Sequence, residues 1–138
     1  RAKLASNAWS ANARAMMQVA TVYIVDDEEP IRKAFEVLLR GRGIEVRTFS
    51  SAEAFLQSYA DDWSGLLLVD ARMPNMDGSE LCLELKRRNC SLRIILMTGL
   101  GDGDSLKEAL GDEVRLLEKP FQVHEIANTL LASGLFTR

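Results

Sequence analysis

The chain has 138 residues, enough for one sizeable hydrophobic core and too few for two comfortable ones. Its net charge of −3 is uneven: residues 1–20 carry Arg1, Lys3 and Arg14 and no acid, leaving 14 basic and 20 acidic side chains in the remainder, a poor composition for binding nucleic acid directly. No apolar run approaches the roughly 18 residues of a membrane span, and the two cysteines, Cys82 and Cys90, have neither metal-ligand spacing nor a disulfide pattern, which fits a reducing cytoplasm.

Residues 1–20 are Ala-rich and short of strand formers, with Leu4, Ala8, Ala11 and Ala15 spaced to share one side of a helix. They read as an N-terminal extension, a linker or a cloning remnant, ahead of a domain over 21–138. From Thr21 the chain alternates short apolar runs with helix-length segments, five βα units in all. The first strand is Thr21–Val25, followed by a helix with Pro30 in its first turn, an apolar face of Ile31, Phe35 and Leu38, and Gly41 placed to end it. A second strand is expected over Ile44–Phe49, and Ser50 with Glu53 reads as a capping box opening a helix through Tyr59. The third strand, Gly65–Val69, leads into a loop with Pro74 and Gly78 and then a helix burying Leu81, Cys82 and Leu85. A fourth strand reaches Thr98, a helix is expected over Ser105–Leu110, and a fifth strand over Val114–Glu118 precedes a last helix burying Val123, Ile126, Ala127 and Leu130. Val-, Ile- and Leu-rich runs of this kind read as parallel strands buried on both faces. Right-handed crossovers then predict a doubly wound sandwich with helices on both faces.

In such sheets ligands bind beyond the carboxyl ends of the strands. Asp26-Asp27, Asp70, Thr98 and Lys119 each follow or end a run, so residues distant in sequence are expected in one crevice. Three carboxylates on two strand ends would repel one another unless a cation joins them. Oxygen ligands of this type suit Mg2+. A carboxylate, Mg2+, an ammonium and a hydroxyl together suit placement of a phosphoryl group on the carboxylate, with the cations neutralising the transferred oxygens.

The strings Val-Asp-Asp-Glu-Glu-Pro at 25–30, Val-Asp-Ala-Arg-Met-Pro-Asn-Met-Asp-Gly at 69–78, Met-Thr-Gly at 97–99 and Glu-Lys-Pro-Phe at 118–121 resemble the receiver domain of two-component response regulators, and Met-Thr-Gly-x-Gly-Asp resembles its nitrogen-fixation-type subgroup. The resemblance covers about 21–134. It implies a flavodoxin-like sheet of order 2-1-3-4-5, with Asp70 as phosphoacceptor. Asp27 would hold Mg2+ directly and Asp26 largely through water, with the Arg72 backbone carbonyl as a further ligand. Thr98 and Lys119 would hold the phosphoryl oxygens, the Ala71 and Gly99 amides would complete the cradle, and the Lys119–Pro120 peptide would be cis. Partners implied are a sensor histidine kinase or phosphotransfer protein, an effector domain or downstream protein, and a homodimer formed on phosphorylation, with no membrane and no direct nucleic acid contact. The chemistry is self-directed and the output is a change of shape.

Two departures stand out. The switch position that usually carries an aromatic, three residues before the Lys, is Leu116, and the segment from Thr98 to Lys119 is one residue shorter than is usual. Two other classes compete. A haloacid-dehalogenase-type phosphatase also uses Asp, Mg2+ and Lys, but needs a second acid where Arg72 stands. A phosphorylation-independent interaction module would keep the fold without the chemistry. His124, Trp63 and the Lys86-Arg87-Arg88 run read as structural or solvated, and Gly99, Gly101 and Gly103 lack the Lys-Ser/Thr of a P-loop.

Overall fold

A computed structural model describes residues 21–99, 101–119 and 121–132; the expected helix at 1–20, Pro120 and its peptide bond lie outside them. The elements in chain order are β1 (Thr21–Val25), α1 (Glu29–Arg40), β2 (Glu45–Phe49), α2 (Ala52–Ser58), β3 (Ser64–Asp70), α3 (Gly78–Arg87), β4 (Ser91–Thr98), α4 (Gly103–Leu110), β5 (Val114–Glu118) and α5 (Val123–Ala132). All strand pairs are parallel, in the order β2-β1-β3-β4-β5. Among the described residues no helix is long and apolar enough to cross a membrane.

Alternation along each strand divides the core into two layers. Val22, Ile24, Leu66, Leu68 and Met97 face Phe35 and Leu39 of α1 and Ile126 and Leu130 of α5. The intervening residues Tyr23, Val25, Leu67, Val69 and Leu96 face Phe55 of α2, Leu81 and Leu85 of α3 and Leu110 of α4. The expectation of burial on both faces holds for β1 and β3 but not for β5, where Arg115 and Glu118 are exposed. That strand is one of the sheet's two edges, flanked by β4 alone.

Local departures from the sequence reading have plain causes. The buried face of α1 is carried by Phe35 and Leu39, and Leu38 is 36% exposed, because Leu39 completes the i, i+4 spacing from Phe35. Gly41 ends α1 in a right-handed conformation, and the left-handed residue is Gly43, at φ +84°, in the turn before β2. The cap of α2 is Ser51, whose hydroxyl accepts from the Ala54 amide at 3.0 Å, so the Ser50–Glu53 box is not formed. Glu53 instead accepts from the Met76 amide at 3.1 Å and braces the loop after β3. The helix α4 begins at Gly103, two residues before the expected Ser105.

Trp63 packs as expected: it stacks on Tyr23 at 4.5 Å between centroids and lies edge-on to Phe55, with the Arg47 guanidinium 5.0 Å above it. Cys82 is fully buried, and burial pushes its thiol up to about 12, so it is an inert core residue. His124 is exposed in the first turn of α5.

Candidate functional site

Parallel register sets the carboxyl ends of β1, β3, β4 and β5 side by side: Val25 pairs with Val69, Asp70 with Met97 and Thr98 with Glu118. Asp26, Asp70, Thr98 and Lys119 are thereby gathered from four segments, as the sequence suggested. Asp26, Asp70 and Thr98 are buried although polar, with exposures of 1%, 3% and 1%. Buried polar groups are costly unless they find partners.

Asp26 and Asp27 directly follow β1, and with Asp70 they can bring one carboxylate oxygen each to within 4.8 Å of one another. The Asp26 amide donates to Phe49 O at 3.1 Å, its carbonyl accepts from Arg32 Nη1 at 2.7 Å, and its Oδ1 accepts from the Glu28 amide at 2.9 Å, so both backbone and carboxylate are fixed. Burial pushes the Asp26 carboxyl up to about 6, the Glu28 amide opposes this, and the nearby Asp70 charge raises it further. Two buried carboxylates and a third at the surface are hard oxygen donors in a confined space. They fit Mg2+.

Asp70 is held from the other side. Lys119 Nζ donates to its Oδ1 at 3.2 Å, and the Arg72 amide donates to the same oxygen at 3.3 Å. The Lys119 backbone is fixed by its own amide, which donates to Thr98 O at 2.8 Å. The Ala71 amide does not face the site: it donates to Met97 O at 2.8 Å because β-type pairing runs one residue beyond Asp70. The amide at the carboxylate is that of Arg72. Gly99 follows Thr98 directly, and its carbonyl accepts from the Asp102 amide at 3.3 Å, which turns the chain into α4.

The Thr98 hydroxyl is buried and has no hydrogen-bond partner among the described residues. An orphaned hydroxyl at the strand end beside a buried carboxylate is a ready donor for an arriving anion, and it burdens the resting fold. Thr98→Val, which keeps the shape and removes the orphan, is therefore expected to leave the resting domain as stable or up to about 1 kcal/mol more stable. The same variant should hold a phosphoryl mimic less well. Thermal melting with and without beryllofluoride checks both limbs, and a clear fall in resting stability would contradict this account of the hydroxyl.

Three features of the site escaped the sequence reading. Asp77 and Glu80 form the capping box of α3, with the Asp77 carboxylate on the Glu80 amide at 2.9 Å and the Glu80 carboxylate on the Asp77 amide at 2.9 Å. The Asp-x-x-Glu pattern was visible. Gly78 is pressed against the site strand, since a Cβ there would lie 2.2 Å from Asp70 O. The Arg72 guanidinium pairs with Asp102 at 2.9 Å across two loops, which no local pattern announces. Lys86, read as part of a solvated run, donates to Leu110 O at 2.9 Å and closes the end of α4, while Arg87 and Arg88 pair with Glu84. Leu116 is half-buried on β5 against the core layer that also receives Leu106 of α4.

The sheet order and the gathered strand ends define a receiver domain. The family model described as the response regulator receiver domain matches residues 22–131, and the chain belongs to that family. Within it the chain is similar to nitrogen-fixation-type regulators: it is 43% identical over 103 residues to the transcriptional regulatory protein FixJ of Rhizobium meliloti (strain 1021), covering 74% of this chain and 50% of that protein. It is 36% identical over 115 residues to nodulation protein W of Bradyrhizobium diazoefficiens, covering 83% and 51% respectively. The crystal structure of FixJ-N superposes with a TM-score of 0.68 at 37% identity, covering 83% of this chain and 93% of that one. The chain spans about half the length of the curated relatives named here. Nothing supports the phosphatase or the phosphorylation-independent alternative, and the position that would need a second catalytic acid holds Arg72, whose side chain is engaged by Asp102.

Proposed function

We propose that the domain takes a phosphoryl group from a phosphohistidine of a sensor histidine kinase or phosphotransfer protein onto Asp70. The observation that carries this reading is the buried Asp70 carboxylate in contact with the Lys119 ammonium, with the buried, orphaned Thr98 hydroxyl at the end of the adjacent strand. A carboxylate oxygen of Asp70 attacks phosphorus as the P–N bond breaks, and its electron pair leaves on the imidazole nitrogen. Lys119 Nζ pairs with the incoming oxygens, Thr98 Oγ1 donates to one of them, and the Arg72 and Gly99 amides face the remainder. Asp26, Asp27, Asp70 and the Arg72 carbonyl would hold Mg2+. Bound there, the ion supplies positive charge shared between the carboxylate and the phosphoryl oxygens. Attack of water on phosphorus later returns Asp70 and inorganic phosphate, so the catalysis is self-directed.

The signal is carried by a population shift in the domain, with Thr98 and Leu116 as switch positions. It passes to an effector domain or a downstream protein, in the cytoplasm, with homodimerisation on phosphorylation as one route. The relatives' names, which describe transcriptional regulation and nodulation, support an output at the level of gene expression through a partner rather than through this acidic domain itself.

Metal linkage tests the site. The folded-state pKa of Asp26, about 6, lies above its ordinary value of 3.8. Without a cation its contribution to stability is therefore fully present below about pH 4 and is lost as pH rises through about 6. Mg2+ binding needs the ionised form, so millimolar Mg2+ should raise the Tm clearly at pH 7.5 and little at pH 5. An equal rise in Asp27→Ala, or no rise at pH 7.5, would overturn the metal assignment.

A further inference from the structure

We propose that Arg72 is a counter-ion exchanger: its guanidinium holds Asp102 in the resting domain, passes to a phosphoryl group on Asp70, and so frees Asp102 to cap α4. This rests on the reading of Asp70 as phosphoacceptor. Three observations place the parts. The Arg72 amide is on Asp70 Oδ1 at 3.3 Å, whereas its guanidinium Nη2 is 2.9 Å from Asp102 Oδ2. The Asp102 carboxylate lies beside Gly99, the residue after Thr98, since a Cβ on Gly99 would stand 3.4 Å from its Oδ2. Asp102 occupies the N-cap position of α4 in a right-handed conformation, φ −91° and ψ −10°, and its side chain makes no cap hydrogen bond.

An aspartate at an N-cap ordinarily accepts from the second or third amide of the helix, here those of Asp104 and Ser105. Here Arg72 holds the carboxylate and the Asp102 backbone is right-handed instead of extended, so capping requires the residue to turn once Arg72 lets go. The Arg72 side chain is 78% exposed in the pair, and an ion pair in water holds its partners weakly. A phosphoryl group offers nearly twice the charge of a carboxylate and suits the planar guanidinium fork, so it outcompetes Asp102 for the same side chain. The other end of α4 is fastened independently, because Lys86 Nζ donates to Leu110 O at 2.9 Å. Release therefore acts on the N-terminal end of α4 alone. Leu106 of α4 and Leu116 of β5 pack on one core layer, so a rearrangement there reaches the position where this chain lacks the usual aromatic.

The test is a double-mutant cycle on beryllofluoride affinity in the presence of Mg2+, using the parent, Asp102→Asn, Arg72→Gln and the double variant. Asp102→Asn removes the competing charge and keeps a capping side chain, so it is expected to tighten binding about two- to fivefold, and Arg72→Gln to weaken it by a similar factor, the size an exposed ion pair supports. In the Arg72→Gln background, Asp102→Asn should then change nothing. Hydrogen exchange supplies a second readout: the Asp104 and Ser105 amides should gain protection with beryllofluoride in the parent and not in Asp102→Ala. Asp102→Asn, which weakens the ion pair and can still cap, should bind tighter while keeping that protection. Additive effects in the cycle, or weaker binding by Asp102→Asn, would overturn the exchange while leaving the phosphoacceptor reading intact. Binding that persists in Asp70→Asn would remove that reading and the exchange with it.

Discussion

Gly78→Ala should destabilise the domain by about 2–4 kcal/mol, a fall in Tm on the order of 10 °C. Gly78 opens α3, its amide donates to Ala71 O at 2.9 Å, and an added Cβ would lie 2.2 Å from Asp70 O, 2.8 Å from Asp70 C and 2.9 Å from Ala71 Cα. All three obstacles are backbone, so no side-chain rotation relieves them. The chain must move either α3 or the end of β3, and the second choice displaces Asp70, the proposed phosphoacceptor. Gly103→Ala is the matched control, because a Cβ at the start of α4 would meet nothing within 4 Å, and it should melt within about 2 °C of the parent. Thermal or urea unfolding of the two variants decides the matter. Equal melting of Gly78→Ala and the parent would show that the close approach of α3 to β3 is not needed.

The site was legible in the sequence because its residues sit at the ends of apolar runs, and strand ends are where a parallel sheet brings distant segments together. Thr21–Val25 and Val114–Glu118 matched the strands to the residue, and the sheet order followed from the resemblance. Legibility failed where the deciding contact was tertiary or one residue away. Ser50 and Ser51 both precede a helix, and only the backbone conformation selects Ser51 as the cap. Ala71 was assigned to the cradle by position in a motif, but the length of the β3–β4 pairing spends its amide on Met97 and leaves the one at Arg72. The Arg72–Asp102 pair joins loops 30 residues apart and has no local signature. The Asp77–Glu80 box did have one, and it was overshadowed by the Pro and Gly of the loop around it.

Leu116 gains a physical setting from the fold. Lying half-buried on an edge strand against the layer that receives Leu106, it has no polar tip that could trade an outward for an inward position. A switch without that tip needs its difference in free energy from elsewhere.

The central claim is that Asp70 alone accepts phosphate, and the most direct measurement is intact-protein mass after incubation with acetyl phosphate and Mg2+. Asp70 is the site's buried carboxylate in contact with Lys119, at 3.2 Å, and Asn at that position keeps the size while losing the nucleophilic oxygen. The parent should gain the mass of one phosphoryl group, chelation of Mg2+ should prevent the gain, and hydroxylamine should expel the group as phosphate and leave the hydroxamate of Asp70, as for any acyl phosphate. Asp70→Asn should remain unlabelled under conditions that label the parent fully. Labelling of Asp70→Asn at the parent's level would place the chemistry on another residue and contradict the account.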